Sequence, residues 1–89
     1  MIIGRVAGTV VCTKKVEELL GFKLLLVRKI DLEDKPTRDV VVAVDLVGAG
    51  AGEKVLLVSG SSSRQTSRTD KKPVDAAIIG IIDVVTIDE

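Results

Sequence analysis

The chain is 89 residues long and carries 13 Lys and Arg against 13 Asp and Glu, so its formal net charge is zero. This balance does not favour electrostatic binding to nucleic acid or an anionic membrane. The single cysteine excludes an intrachain disulfide, and the absence of histidine and of a second cysteine excludes nearly every zinc or copper site. Hydrophobic residues make up 46% of the chain and aromatic residues only 1%, so the apolar residues are mostly aliphatic, and the abundant Val and Ile suit strands.

Five runs of the sequence are typical of strands, and two of them contain glycine. The first covers residues 2–13, where the even positions are apolar and include Gly4 and Gly8. Glycine inside a strand often marks a bend or bulge, which a strand needs if it curves around a small barrel. Gly80 interrupts the last run. The other four runs cover residues 23–32, 39–46, 53–59 and 75–87.

The connections between these runs carry turn chemistry. Residues 14–22 predict a helical turn ended by Gly21, and the polar residues 59–73 predict a short helix at about 62–69. The other two connections are expected to be loops: the charged residues 31–39, which hold Pro36, and the GAGAG sequence of residues 48–52.

These elements predict an all-β fold, a small five-stranded OB-like barrel with a short helical connection, in a single domain of residues 1–89. A meander or a fragment of a sandwich would produce a similar pattern. The opening residues lack the basic segment, long apolar run and cleavage site of a signal peptide, and no run of about 18 apolar residues occurs. We therefore expect neither a secretory signal nor a membrane span.

Three strands are apolar on both faces. Residues 40–44, 55–58 and 76–82 lack the alternation of a sheet with one solvated face. A closed barrel has one interior, so the second faces must be covered, and the chain is too short to supply covering helices. We expect neighbouring subunits to cover them in an obligate interface, which is commonly large and hydrophobic. The alternative is a monomer with scattered surface valines.

The glycine-rich segment lacks the defining residues of a phosphate-binding loop. A P-loop needs glycine directly before the lysine and Ser or Thr after it, whereas Glu53 precedes Lys54 and Val55 follows it. Glu53 also takes the place of the third glycine of a dinucleotide fingerprint. The glycines therefore indicate a close backbone approach, which in a ring could be made by another subunit near the axis.

No catalytic constellation is present, so neither an activity nor a cofactor is expected. The serines of residues 59–63 have no histidine to activate them and are expected in turn hydrogen bonds. Arg64 is expected in a structural ion pair, and Cys12 as a small core residue of the first strand. The remaining carboxylates at strand ends show no acid–base spacing and are expected to bond backbone amides: Asp45, Glu53, Asp75 and Asp83.

Two alternative functions follow from the predicted fold and size. An oligonucleotide-binding barrel would stack bases on aromatic side chains in a basic groove, but the chain has no Trp or Tyr and a single Phe. A small enzyme or metabolite-binding subunit is the second alternative, and no motif supports it. The only basic cluster is expected to be a solvated loop: Arg64, Arg68, Lys71 and Lys72.

Long motifs carry a resemblance to a known family. The stretch VDLVGAGAGEKVLLVSGSSSR, followed by PVDAAIIGIIDVV, closely resembles the vertex proteins of bacterial microcompartments, found in carboxysomes and in ethanolamine- and propanediol-type compartments. GRVAGTVVCTKK and GFKLLLVRKID also resemble that family, so the similarity covers essentially the whole chain. The resemblance implies an OB-like barrel that assembles into a cyclic homopentamer, contacts hexameric shell proteins and fills shell vertices in the cytoplasm.

The resemblance also implies functional positions, at the subunit interface or around the axial opening of the ring. These positions match three motifs of the family. One departure is Ser63, where the family often has alanine. The matching residues are Asp45, Gly48, Ala49, Gly50, Gly52 and Glu53 in the first motif, Gly60, Ser61, Ser62 and Arg64 in the second, and Pro73, Val74, Asp75, Gly80 and Asp83 in the third.

Overall fold

A computed structural model describes residues 1–88 and contains five strands joined into a barrel. The strands pair in the order β1-β2-β3-β5-β4, and β4 closes on β1. Only the β3–β5 contact is parallel. The prediction of an all-β, five-stranded barrel with a short helical connection is confirmed. The strands are β1 (Ile2–Val10), β2 (Lys23–Ile30), β3 (Pro36–Asp45), β4 (Lys54–Ser59) and β5 (Ala76–Ile81).

Strand ends differ from the prediction where pairing decides them. β3 starts at Pro36, inside the predicted hairpin loop, because Pro36 pairs with Ile30. The Asp31 carboxylate closes the remaining turn by accepting the backbone N–H groups of residues 33 and 35, both at 2.9 Å. β5 ends at Ile81 instead of residue 87, because the N–H of Ile82 bonds the Lys54 carbonyl and β4 begins at Lys54. Residues 83–88 therefore have no partner strand.

The helix predicted at about residues 62–69 is present only in part and begins earlier in the chain. The structure has a five-residue 3₁₀ turn at Gly60–Arg64, followed by a turn in which two threonines bond each other. The Thr66 and Thr69 hydroxyls lie 2.6 Å apart, and the Thr69 N–H donates to the Thr66 hydroxyl. Such side-chain bonds compete with helix formation. The helical turn expected in residues 14–22 is present as a 3₁₀ turn at Glu17–Leu19, and Gly21 follows it at φ 86°.

The interior of the barrel is aliphatic and tightly packed. Val27, Val55 and Ile78 are fully buried in its centre. Gly4 faces the same interior, and a Cβ atom built on it would lie 2.5 Å from Val27 Cγ1 and 3.0 Å from the Arg28 carbonyl oxygen. The absence of a side chain at Gly4 therefore lets β1 approach β2 closely.

Bulges accompany two of the strand glycines, as predicted. The β1–β2 register shifts between Val6 and Gly8, and the β4–β5 register shifts where Gly80 opposes Leu56 and Ile78 opposes Leu57. A bulge bends a strand and increases its local twist. The bends close five strands into a barrel of this small size.

A second apolar cluster covers the outside of the β3–β5 seam, where only two residue pairs join the strands. Phe22 and Val74, which lie in connecting segments, pack there on Val44, Val58 and Ala77. The expectation that the chain could not cover the second strand faces itself is therefore wrong for this seam. At the other end of β3 the chain does leave the second face uncovered, as expected, since Val40 is 38% and Val42 is 44% exposed.

The prediction for Cys12 is also wrong. It was expected as a small core residue, but its side chain is exposed. The reason is that β1 ends at Val10, two residues before it, so the alternation of the strand no longer applies there.

Candidate subunit-interface site

The three sequence motifs meet at two places on the barrel and do not form one site. The glycine loop, residues 48–53, precedes β4, and the serine turn, Gly60–Arg64, follows it. β4 is six residues long, so the two groups lie about 20 Å apart. Gly80 and Asp83 lie towards the glycine loop, because the N–H of Ile82 bonds the Lys54 carbonyl at the start of β4. Asp75 lies at the serine turn, where its backbone carbonyl accepts the Gly60 N–H at 2.8 Å.

The glycine loop folds back over one end of the barrel. Ala49 is 1% exposed and belongs to the inner core, so it plugs this end. Gly48 and Gly52 have φ values of 75° and 80°, which a residue with a side chain rarely adopts. Gly52 then donates its N–H to the Val6 carbonyl at 2.9 Å, which ties the loop to β1.

Two carboxylates hold the loop by accepting backbone N–H groups. Glu53 Oε1 accepts the N–H of Gly50 at 2.6 Å, and Asp45 Oδ1 accepts the N–H of Val47 at 3.1 Å. The Asp45 side chain is buried at the end of β3. Both contacts agree with the expectation that carboxylates at strand ends satisfy backbone amides, and they make the loop a rigid structural element.

The serine turn is built around a buried serine and an arginine. The Ser63 hydroxyl is fully buried, 2.6 Å from the Gly60 carbonyl oxygen and 2.9 Å from that of Val74. Arg64 Nη1 donates to the same Val74 carbonyl at 2.9 Å. The ion pair predicted for Arg64 is absent from residues 1–88, because its guanidinium bonds a backbone carbonyl. Ser61 and Ser62 are exposed.

The third motif contributes exposed groups and one packing position. Asp75 and Asp83 are exposed, as is Pro73, whereas Val74 is buried in the outer cluster. A Cβ on Gly80 would lie 3.7 Å from the Cβ of Leu56, an ordinary contact distance. Gly80 is thus required neither for space nor for a left-handed backbone.

Sequence reasoning missed an ion-pair cluster next to the glycine loop. Asp34, at the tip of the β2–β3 hairpin, lies 2.6 Å from Lys54 Nζ and 3.7 Å from Arg5 Nη2. Arg5 also donates to the Gly52 carbonyl at 2.9 Å, so one guanidinium touches both the hairpin tip and the loop. Nothing in the local pattern around Asp34 indicates this contact, because two strands and the tip of a hairpin bring the groups together.

Asp34 has a backbone suited to a small polar residue and a pKa below its ordinary value of 3.8. Its φ is 63°, a region that Asp and Asn enter more readily than other residues with side chains. The hydrogen bond from Lys54 lowers the pKa most, desolvation opposes it as the next largest effect, and the charges of Lys54 and Arg5 lower the pKa further.

The lowered pKa of Asp34 predicts that the fold becomes less stable as the pH falls into the acidic range. Because the folded value lies below the unfolded one, Asp34 stabilises the fold above the ordinary carboxyl pKa, and this stabilisation is lost as the pH falls through the folded value. We expect Asp34→Asn to lower Tm at pH 7 and to make Tm fall less steeply below about pH 4. Thermal unfolding from pH 7 to pH 2 measures both, and the neighbouring Glu33→Gln is the control. A variant with an unchanged Tm and slope would contradict the assignment.

Within residues 1–88, no three Asp, Glu or Cys side chains gather in a group that could hold a metal ion. No helix in the described part of the chain is long and apolar enough to cross a membrane.

The chain is similar over nearly its full length to curated shell proteins. A family model described as "Ethanolamine utilisation protein EutN/carboxysome" matches residues 1–83. The carboxysome shell vertex protein CcmL of Gloeobacter violaceus is 49% identical over 88 residues, which are 99% of this chain and 88% of that one. The bacterial microcompartment shell vertex protein EutN of Salmonella typhimurium is 50% identical over 80 residues, 90% of this chain and 81% of that one.

Solved structures agree with the barrel in detail. The structure of Gloeobacter violaceus CcmL superposes with a TM-score of 0.94 and covers 99% of this chain and 91% of that one. The GrpN pentameric microcompartment shell protein from Rhodospirillum rubrum has a TM-score of 0.91 at 44% identity, with 99% of this chain and all of the other covered. Given a family-model match across all five strands and near 50% identity to its named members, the chain belongs to the ethanolamine utilisation protein EutN/carboxysome family.

Proposed function

We propose that this chain is a structural subunit that assembles into a cyclic homopentamer and fills the vertices of a bacterial microcompartment shell, without catalysis of its own. The observation that carries the proposal is the similarity, over 90% or more of the chain, to named shell vertex proteins. One similar structure is described as pentameric. The expected location is the cytoplasm, in the shell itself.

Shell geometry supplies the physical reason for a five-fold ring. A layer of six-fold tiles alone is flat, and it closes only if five-fold positions interrupt it. We therefore propose hexameric shell proteins as the partners around the ring. A cyclic ring also needs a heterologous interface, in which each subunit presents two different surfaces. The rigid glycine loop and the exposed valines of β3 are candidates for such surfaces.

We propose that the motif residues act at the interface or around the axial opening of this ring. The glycine loop supports this role because two carboxylates and β1 hold its shape, while Gly48, Ala51 and Gly52 remain exposed. An exposed loop without bulky side chains allows another backbone to approach closely. The alternative of an oligonucleotide-binding barrel loses its chemical basis, because the only aromatic residue, Phe22, is 9% exposed.

Native mass spectrometry of the purified protein tests the assembly, and Gly50→Arg tests the loop. Gly50 has no left-handed φ, and a Cβ on it would lie 3.2 Å from Glu53 Oε1, the oxygen that accepts the Gly50 N–H, which must shift by a few tenths of an ångström to admit it. We expect the barrel of Gly50→Arg to stay folded, with a circular dichroism spectrum like that of the wild type. The pentamer should be lost, because a long cation is placed where another subunit approaches.

The matched control is Thr13→Arg, which puts the same side chain on an exposed residue outside the three motifs that hold the candidate interface positions. This variant should remain pentameric. A wild type that is monomeric at micromolar concentration would refute the proposed assembly. A Gly50→Arg variant that still forms normal pentamers and shells would refute the role of the glycine loop while leaving the assembly intact.

A further inference from the structure

Three cations lie side by side on the outside of the barrel. In the sheet register, Lys54 of β4 is opposite Arg5 of β1, and Arg5 is opposite Arg28 of β2. Their neighbours Gly4, Val27 and Val55 are buried inside, so by alternation the three cations point outwards. Adjacent strands are about 4.8 Å apart, so this cation row holds like charges at close range. Like charges directly opposite each other in a sheet are destabilising.

The cation row is incompletely neutralised by the chain. Asp34 pairs with Lys54 and more distantly with Arg5, so the row has one paired carboxylate for three cations, and two positive charges remain. Among residues 1–88, no carboxylate oxygen lies within 4.0 Å of the Arg28 guanidinium. Its one hydrogen bond runs from Nη1 to the Thr37 carbonyl at 3.0 Å. Most of its five donors are therefore available, and the side chain is half-buried.

The two arginines border a cleft of about 230 Å³ with an apolar floor. Its lining combines the guanidinium groups of Arg5 and Arg28 with the carboxylate of Asp34. The remaining lining residues are Val6, Ala7, Ile30 and Pro36.

We propose that this cleft is a carboxylate-binding site, in which Arg28 donates the principal bonds and Arg5 assists. The planar fork of a guanidinium matches a carboxylate and binds it through two parallel N–H···O bonds. One bound carboxylate would remove half of the remaining charge of the row. The carboxylate has two sources, an acidic side chain of a second copy of this chain or a small carboxylate from solution. The first source rests on the proposed ring, whereas the site itself does not.

Arg28→Gln tests the site, because it keeps a polar side chain and removes the charge and the fork. The control is Arg38→Gln, which removes an exposed arginine of β3 that does not line the cleft. One arm titrates ¹⁵N-labelled protein with sodium acetate and follows the arginine Nε–H resonances. If the carboxylate is free in solution, the Arg28 signal shifts saturably, and Arg28→Gln binds acetate at least about 10-fold more weakly than Arg38→Gln does.

The second arm measures the subunit count by native mass spectrometry across rising ammonium acetate concentrations. If a second copy supplies the carboxylate, wild-type acetate titration leaves the Arg28 signal unchanged. The Arg28→Gln assembly then dissociates at a protein concentration at least about 10-fold higher than that of Arg38→Gln. The site is refuted if both variants behave alike in both arms. A wild type that forms no ring but binds acetate at Arg28 would refute the ring alone.

Discussion

Gly4→Ala is expected to lower the free energy of unfolding by about 2–3 kcal/mol, the upper part of the range for an overpacked core. The new methyl group would lie 2.5 Å from Val27 Cγ1 and 3.0 Å from the Arg28 carbonyl oxygen. Neither neighbour yields easily, because one is a β-branched side chain that is stiff at χ1 and the other is backbone. Val27 is also fully buried, so the strain spreads into the inner core.

Gly8→Ala is the matched control on the same strand. A Cβ on Gly8 would lie 3.8 Å from the Leu26 Cβ, at an ordinary contact distance, and its φ is not left-handed. The free energy of unfolding should therefore change by less than about 0.5 kcal/mol. Urea denaturation at one fixed protein concentration compares the variants, because assembly makes apparent stability depend on concentration. Equal stability of the two variants would contradict the close β1–β2 approach at Gly4.

Phe22→Ala is expected to cost about 3 kcal/mol, as truncation of a buried aromatic side chain does. Phe22 packs with Val44, Val74 and Ala77 over the seam that two residue pairs close. Removing the ring leaves a cavity at the weakest join of the barrel. We therefore also expect faster hydrogen exchange of the β5 amides in the variant, because the seam opens more often.

Comparing Arg68→Ala with Phe22→Ala separates the stability that comes from packing of the Phe22 ring from the stability that comes from the Arg68 charge above it. The Arg68 guanidinium carbon lies 5.5 Å from the centroid of Phe22, and the side chain is exposed. An exposed cation–π contact contributes about 0.5–1 kcal/mol, so Arg68→Ala should cost far less than Phe22→Ala. If both variants lost the same stability, or if Phe22→Ala lost less than about 1 kcal/mol, the outer cluster would not support the seam.

Local features of the chain were predictable because their causes lie within a few residues. The two-residue alternation and the aliphatic runs indicated the strands, and Gly8 and Gly80 indicated bends that appear as bulges. The glycine loop was recognisable because its motif is long and continuous in sequence. The predicted ends of strands were wrong where pairing with another strand sets the end. β5 stops at Ile81, for example, because its partner β4 begins there.

The helix predicted after β4 ends early, at Arg64, because side-chain hydroxyls take backbone bonds in the residues that would continue it. Thr66 and Thr69 have hydroxyl groups that can bond backbone and each other, and they do so with Thr69 fully buried. Ser63 is similar, since its hydroxyl contacts the Val74 carbonyl eleven residues away. A hydroxyl-rich segment indicates turn bonds in general, but the burial of these particular hydroxyls depends on the segment packing on the barrel.

Neighbouring residues alone indicate the all-β character, the five strands, the glycine loop and the family, because alternation, turn chemistry and long motifs are local properties of the chain. Which outer faces are covered and which charges meet depends on the folded barrel. Arg5 and Gly52 are 47 positions apart, yet they are in contact at 2.9 Å. Barrel closure sets that register through many weak contacts at once, so the cation row and the seam under Phe22 appear only in the folded chain.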